Sequence, residues 1–240
     1  KQNRLWLGTY GEGIYCYSST NLLRLTTSEG LSDNYVYDML QVSDSTLWVA
    51  TDMGISICTI GKEGKVIGVL NEKSGLPDNI VRTLSKDDNG NVWIGMQDKG
   101  VCFYDVRKRE LVIPPPVNNW PFKQVNKILP MRREVLIATE EDGIIELHPK
   151  LSSLNKMSPA RAKYFQSVHE LLQDNKEQVW VIADNKLSLA NSNRFQLIEI
   201  PNEWQSPIKA IACDAKGKLW FVNDKGFFSK ENNNEPVIPE

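Results

Sequence analysis

Only four cysteines and two histidines occur among the 240 residues, and they are scattered. Cys16, Cys58, Cys102 and Cys213 contain no C-x-x-C pair, which removes the usual spacing of a structural zinc site. His148 and His169 lie 21 residues apart, so a histidine metal centre or a Ser-His-Asp triad has little to build on. No cofactor and no metal is expected on this ground. Charge of one sign is also missing. The 28 basic and 30 acidic residues leave a net charge of −2, which gives no footprint for nucleic acid and no polybasic patch for a membrane surface. No apolar run reaches the roughly 18 residues of a membrane-spanning helix, and no secretion signal opens the chain. Lys1 is not an initiator methionine, so the chain reads as processed or excised. Convincing 3.6-residue periodicity is absent as well. Its nearest candidate, residues 160–173, contains Val168 to Leu172, which reads better as a strand.

What is present is a six-fold echo. The segments LWLGT, LWVAT, VWIGM, VLIAT, VWVIA and LWFVN centre on Trp6, Trp48, Trp93, Leu136, Trp180 and Trp220, at intervals of 42, 45, 43, 44 and 40 residues. Most are preceded by a polar turn and followed by a glycine turn. In the second unit, Val36–Val42, Leu47–Thr51, Ile55–Ile60 and Val66–Leu70 are apolar runs separated by turn residues. That pattern predicts an antiparallel meander of four strands. A repeat of this length holding four short strands predicts an all-β fold, a β-propeller of four-stranded blades. The physical reason is that a small sheet apolar on both faces can bury neither alone, whereas radial stacking buries both. Residues 1–240 are therefore expected to form one propeller domain or segment, with the repeated tryptophans in its core.

Three cysteines fall on the third strand of successive units and the fourth on an inner strand. Equivalent strands of stacked sheets lie about 10 Å apart, while a disulfide needs Cα atoms within about 7 Å. Free buried thiols are expected. The chain opens on a second strand, Leu5 to Thr9, so six second strands face only five inner ones. Either the tail around Pro236-Val237-Ile238-Pro239 closes a ring across the first unit, or the chain is an arc of a longer array, the reading favoured here. The tail itself looks too proline-rich for a strand.

The linkers Glu29-Gly30-Leu31-Ser32-Asp33-Asn34 and Ser74-Gly75-Leu76-Pro77-Asp78-Asn79, each followed by an inner strand, carry a resemblance. With the D-x-x-G and L/V-W-h-G/A-T elements, they are similar to the two-component regulator propeller repeat. The resemblance spans the chain, strongest in the first three units. It implies the periplasmic sensor region of hybrid two-component histidine kinases of Bacteroides-like bacteria, in which paired seven-bladed propellers precede a membrane helix and a kinase, and some of which respond to polysaccharide fragments. It also implies dimerisation through the parent sensor. Kinase and DNA-binding segments are not part of these residues.

Two groups of residues are candidates for ligand contact. Trp120, with Tyr164 and Trp204 one position away in later units, occupies the place where Leu31 and Leu76 stand in earlier ones. Aromatic platforms there suit stacking on a sugar ring, with Asn118, Asn119, Asn202, Glu203 and Gln205 for its hydroxyls. The plainer alternative is that they cap blade interfaces. The second group, Tyr37, Arg82, Asn126, His169 and Lys209, follows the first inner-strand valine or isoleucine and predicts a polar ring at the channel mouth. It suits an anion such as a uronate carboxylate, or simply a water-filled channel. Asp33, Asp78, Asp98 and Asp142 sit at turns, where short side chains accept from local amides. With no dense carboxylate cluster, a non-catalytic sensor segment responding to an oligosaccharide is favoured over a polysaccharide lyase or glycosidase. A protein-binding scaffold is the third possibility.

Overall fold

The computed structural model describes residues 4–18, 21–61, 64–114, 120, 122–148, 153–156, 165–191, 194–198, 205–230 and 237–239. Among these, the chain winds into six successive antiparallel sheets. The first has three strands, β1 (Leu5–Gly8), β2 (Ile14–Tyr17) and β3 (Leu22–Leu25). The second is β4 (Val36–Ser43), β5 (Thr46–Thr51), β6 (Gly54–Thr59) and β7 (Val66–Leu70). The third is β8 (Val81–Lys86), β9 (Val92–Met96), β10 (Val101–Asp105) and β11 (Glu110–Val112). The fourth is β12 (Val125–Pro130), β13 (Val135–Thr139), β14 (Ile144–His148) and β15 (Ser153–Lys156). The fifth is β16 (Val168–Gln173), β17 (Val179–Ala183), β18 (Lys186–Asn191) and β19 (Arg194–Leu197). The sixth is β20 (Ala210–Cys213), β21 (Leu219–Asn223), β22 (Gly226–Lys230) and β23 (Ile238–Pro239). Every sheet is a simple up-and-down meander.

The sheets stack about their first strands: β4 lies beside β8, β8 beside β12, β12 beside β16, and β16 beside β20. Five apolar clusters fill the spaces between successive sheets. Side-chain alternation decides which space each residue enters. On β5, Leu47 and Val49 point back into the cluster shared with the first sheet, whereas Trp48 and Ala50 point forward onto the third. Trp93 likewise joins the fourth sheet's Val125, Ile137 and Leu147, and Trp180 joins Phe221 and Phe228 of the sixth. This is the radial, face-to-face burial expected of propeller blades.

Two expectations need correction. Trp48, Trp93 and Trp180 are core residues, but Trp6 and Trp220 are only half-buried. Trp220 points in the forward direction, where no further sheet is described, and Lys218 Nζ lies 4.5 Å from its ring centre instead. The proline-rich tail is a strand after all. Ile238 and Pro239 pair with Ser229 and Phe228, and Val237 is buried in the last cluster. The tail thus completes its own sheet rather than the first one, and Pro239 is tolerated because β23 is an edge.

Local chemistry explains the two Gly-Leu linkers. Short 3-10 turns at Thr27–Glu29 and Glu72–Ser74 are closed by capping boxes, Thr26 with Glu29 and Asn71 with Ser74. Gly30 and Gly75 follow with φ of 95° and 98°, the left-handed region that favours glycine. The side chains of Asn34 and Asn79 accept from the backbone N–H of Thr27 and Glu72 at 2.9 and 3.0 Å. Their carbonyls receive the N–H of Gly11 and Gly54. Leu31 and Leu76 are thereby fixed as buried plugs between sheets.

The four cysteines are free, with Cys16, Cys58 and Cys102 buried. Burial pushes the Cys102 thiol up to about 12 and that of Cys58 up to about 11, which leaves both inert near neutrality. No helix among the described residues is long and apolar enough to cross a membrane.

Candidate functional site

The predicted polar ring has a backbone cause. Val36, Val81, Val125 and Val168 pair with Thr51, Met96, Thr139 and Ala183, and the next ladder pairs begin at Asp38, Thr83, Lys127 and Glu170. Tyr37, Arg82, Asn126 and His169 are therefore the extra residues of four β-bulges at the same place in four inner strands. In the sixth sheet the N–H of Lys209 bonds to the Val222 carbonyl at 2.9 Å, while Ala210 pairs with the same residue. A bulge re-aims one side chain out of the ladder. Repeated five times, it delivers one polar or amphipathic group per blade to the same end of the stack.

These groups engage one another in sections. Tyr37 donates to Asp52 Oδ1 at 2.8 Å, meets Tyr10 edge-on at 5.8 Å, and lies under the Arg82 guanidinium at 4.2 Å. Burial and the Asp52 hydrogen bond hold the Tyr37 phenol above its ordinary pKa. A second section runs from Gln97 to Gln124 at 3.2 Å and from there toward Asn126. Asn126 donates to Glu140 Oε2 at 2.8 Å and to the Val168 carbonyl at 2.9 Å. His169 Nδ1 stands 3.8 Å from the same Glu140 oxygen, and its Nε2 is 3.3 Å from Ser167 Oγ. Lys209 pairs with Asp224 of its own sheet. The structure brings together Tyr37 with Arg82, and Asn126 with His169 through Glu140.

One residue further along each inner strand lies a group not singled out from the sequence. Asp38 accepts from Thr83 Oγ1 at 3.0 Å and from the Leu84 N–H at 2.9 Å, tying the second sheet to the third. Lys127 and Glu170 form an ion pair of 3.0 Å, tying the fourth to the fifth, with side chains 30% and 28% exposed. Burial works against the Lys127 charge, but the Glu170 and Asp38 carboxylates outweigh it and hold its pKa above the ordinary value. Burial raises Glu170, against the pull of Lys127. The sequence signal was a charged residue directly after three of the ring positions, Asp38, Lys127 and Glu170, where Thr83 and Ala210 stand in the other two units.

Trp120 sits at the same end of the stack as the ring. Its indole covers Gly100 in the β9–β10 turn, where an added Cβ would come within 2.1 Å of the ring, and it packs 5.3 Å from Phe122. Tyr164 and Trp204 lie outside the described residues, as do Asn118, Asn119, Asn202 and Glu203. Asp33 and Asp78 act as turn acceptors, from the N–H of Tyr35 at 2.7 Å and Ile80 at 3.1 Å. Asp78 also receives the Asp98 N–H at 2.9 Å.

Residues 30–53 and 75–98 match the two-component regulator propeller family. Two stretches of the chain thus match the two-component regulator propeller repeat. Both matched stretches run from the capped linker through the bulged inner strand to the turn after the second strand, and so include the ring positions Tyr37 and Arg82. None of the curated proteins matches the chain.

Solved structures place these regulator-propeller repeats among other propellers. The extracellular domain of a hybrid two-component system from B. thetaiotaomicron aligns with a TM-score of 0.73 at 19% identity, over 100% of this chain and 32% of that one. Virginiamycin B lyase from Staphylococcus aureus aligns with a TM-score of 0.72 at 15% identity, over 100% and 82%. PorZ, a surface component of the type-IX secretion system of Porphyromonas gingivalis, aligns with 0.70 at 14%, over 99% and 40%. At these identities the likeness is one of fold, and the chain spans about a third of the first structure's length.

Proposed function

We propose that this chain is a segment of the extracytoplasmic sensor region of a hybrid two-component regulator, and that it reads an oligosaccharide at the bulge ring. The observation that carries this reading is the match of residues 30–53 and 75–98 to the regulator propeller family. The ring supports it chemically. Arg82, His169 and Lys209 offer positive or hydrogen-bonding groups for a uronate carboxylate. Asn126 and Tyr37 offer partners for hydroxyls, and Trp120, Tyr164 and Trp204 are the aromatic surfaces for a sugar face. In this reading the segment is periplasmic, is non-catalytic, and signals through a homodimer of the parent sensor.

Calorimetry with matched neutral and uronate-containing oligosaccharides tests it. Binding that prefers the uronate and weakens at least about tenfold in Arg82→Ala is the expected result. Binding indifferent to Arg82, His169 and Lys209 together would remove the ring as the site. Appearance of unsaturated or reducing ends would replace the sensor reading with a lyase or glycosidase.

A further inference from the structure

We propose that Glu134, Glu146 and His148 form a binding site for a divalent transition ion such as Zn2+, at the end of the fourth sheet opposite the bulge ring. Their ligand atoms converge to within 4.8 Å of one another. His148 Nε2 stands 3.9 Å from Glu134 Oε2 and 4.0 Å from Glu146 Oε2, too far for hydrogen bonds. Donors around a tetrahedral ion with bonds near 2.1 Å lie about 3.4 Å apart, so small side-chain rotations close the set. The three side chains are only 26%, 14% and 22% exposed, in the order given.

The scaffold holds them firmly. Glu146 and His148 alternate onto one face of β14, and Val135 pairs with Leu147, which puts Glu134 across from His148. The turn before β13 is closed by the Met131 N–H to the Glu134 carbonyl at 2.8 Å. Arg132 of that turn is directed to Glu177 at 3.7 Å.

The repeat supplies an independent reason. In the second, third and fifth sheets the residue opposite the central tryptophan is apolar: Ile57 faces Trp48, Phe103 faces Trp93, and Leu189 faces Trp180. In the sixth Ser229 faces Trp220, and in the fourth both partners change, to Leu136 and Glu146. Glu146 thus stands where the second, third and fifth sheets carry an apolar residue. It appears where the tryptophan has also given way to a smaller side chain and a histidine lies two residues on. One imidazole and two carboxylates suit zinc and its neighbours, with a fourth position left for water or an incoming group.

Calorimetry with Zn2+, and absorption spectra with Co2+, test the site on the chain as it stands. One equivalent is expected, weakened at least about tenfold in His148→Gln, Glu146→Gln and Glu134→Gln. The Co2+ complex should show visible d–d bands without the intense thiolate charge-transfer that cysteine ligation would give. Glu134→Gln, on the turn, decides the matter if a strand variant fails to fold. Absence of binding at micromolar Zn2+, equal affinity in all folded variants, or equal binding of Ca2+ overturns the proposal.

Discussion

Trp93 and Trp220 occupy the same place in the third and sixth sheets and have the same local partner. Six residues before each stands an aspartate whose Oδ2 accepts from the indole N–H, Asp87 at 3.3 Å and Asp214 at 3.2 Å. Each aspartate also accepts two backbone N–H groups of its own turn through Oδ1: Asn89 and Asn91, or Lys216 and Lys218. Yet Trp93 is 4% exposed, whereas Trp220 is only partly buried. The motif fixes how the indole is held. Whether it becomes core depends on a neighbouring sheet laid against it.

The sharpest test of that contrast is truncation. Trp93→Ala should cost about 3–5 kcal/mol in urea unfolding, and Trp220→Ala less, because among the described residues no further sheet packs against its indole. Equal losses would mean that the turn clamp, not the blade interface, holds both sheets. Glycine turns sharpen the same point. Gly100, at φ 65° beneath Trp120, has no room for a methyl, whereas Gly75, at φ 98°, has nothing within 4 Å. Gly100→Ala should cost about 2–3 kcal/mol and Gly75→Ala about 1 kcal/mol, the latter from backbone strain alone.

Removing the clamp itself is a smaller change. Asp174 holds Trp180 Nε1 at 2.9 Å, and Asp174→Ala should lower stability by about 1–2 kcal/mol. The Asp214 clamp reads out in pH. The Trp220 indole, followed by the Lys218 backbone, holds Asp214 below the usual aspartate pKa. Its contribution is therefore present above the unfolded value near about 3.9 and is lost as pH falls through the folded one. Thermal melts of Asp214→Asn should lie below wild type at neutral pH, and the gap should close as the pH is taken below that window. A gap independent of pH would mean that the aspartate acts without its charge.

The clamp was half-legible in sequence. D-x-x-G-x-x-W is spelled out at 87–93 and 214–220, but at 174–180 Glu177 replaces the glycine and still adopts φ 61°. A pattern tied to glycine misses the third copy, because the surrounding turn imposes the left-handed conformation there. The ring positions were legible for a different reason. The valine before each of them recurs, and a fixed repeat makes one offset visible in every unit. Their partners were not. Glu140 joins Asn126 to His169 across two sheets, Asp38 reaches Leu84 across a sheet boundary 46 residues away, and Lys127 reaches Glu170 across another. Glu134, Glu146 and His148 look like ordinary polar residues until strand pairing brings them together.

By itself the sequence determined the blade: its length, its four strands, its turns and the alternation that makes both faces apolar. Those are short-range properties, set by propensity, capping and a two-residue period. Only the tertiary structure decided which apolar face is buried, which charges meet, and that the proline-rich tail finishes its own sheet. Those outcomes depend on contacts between segments that local preference does not link. Stacking energy selects them only once the sheets exist.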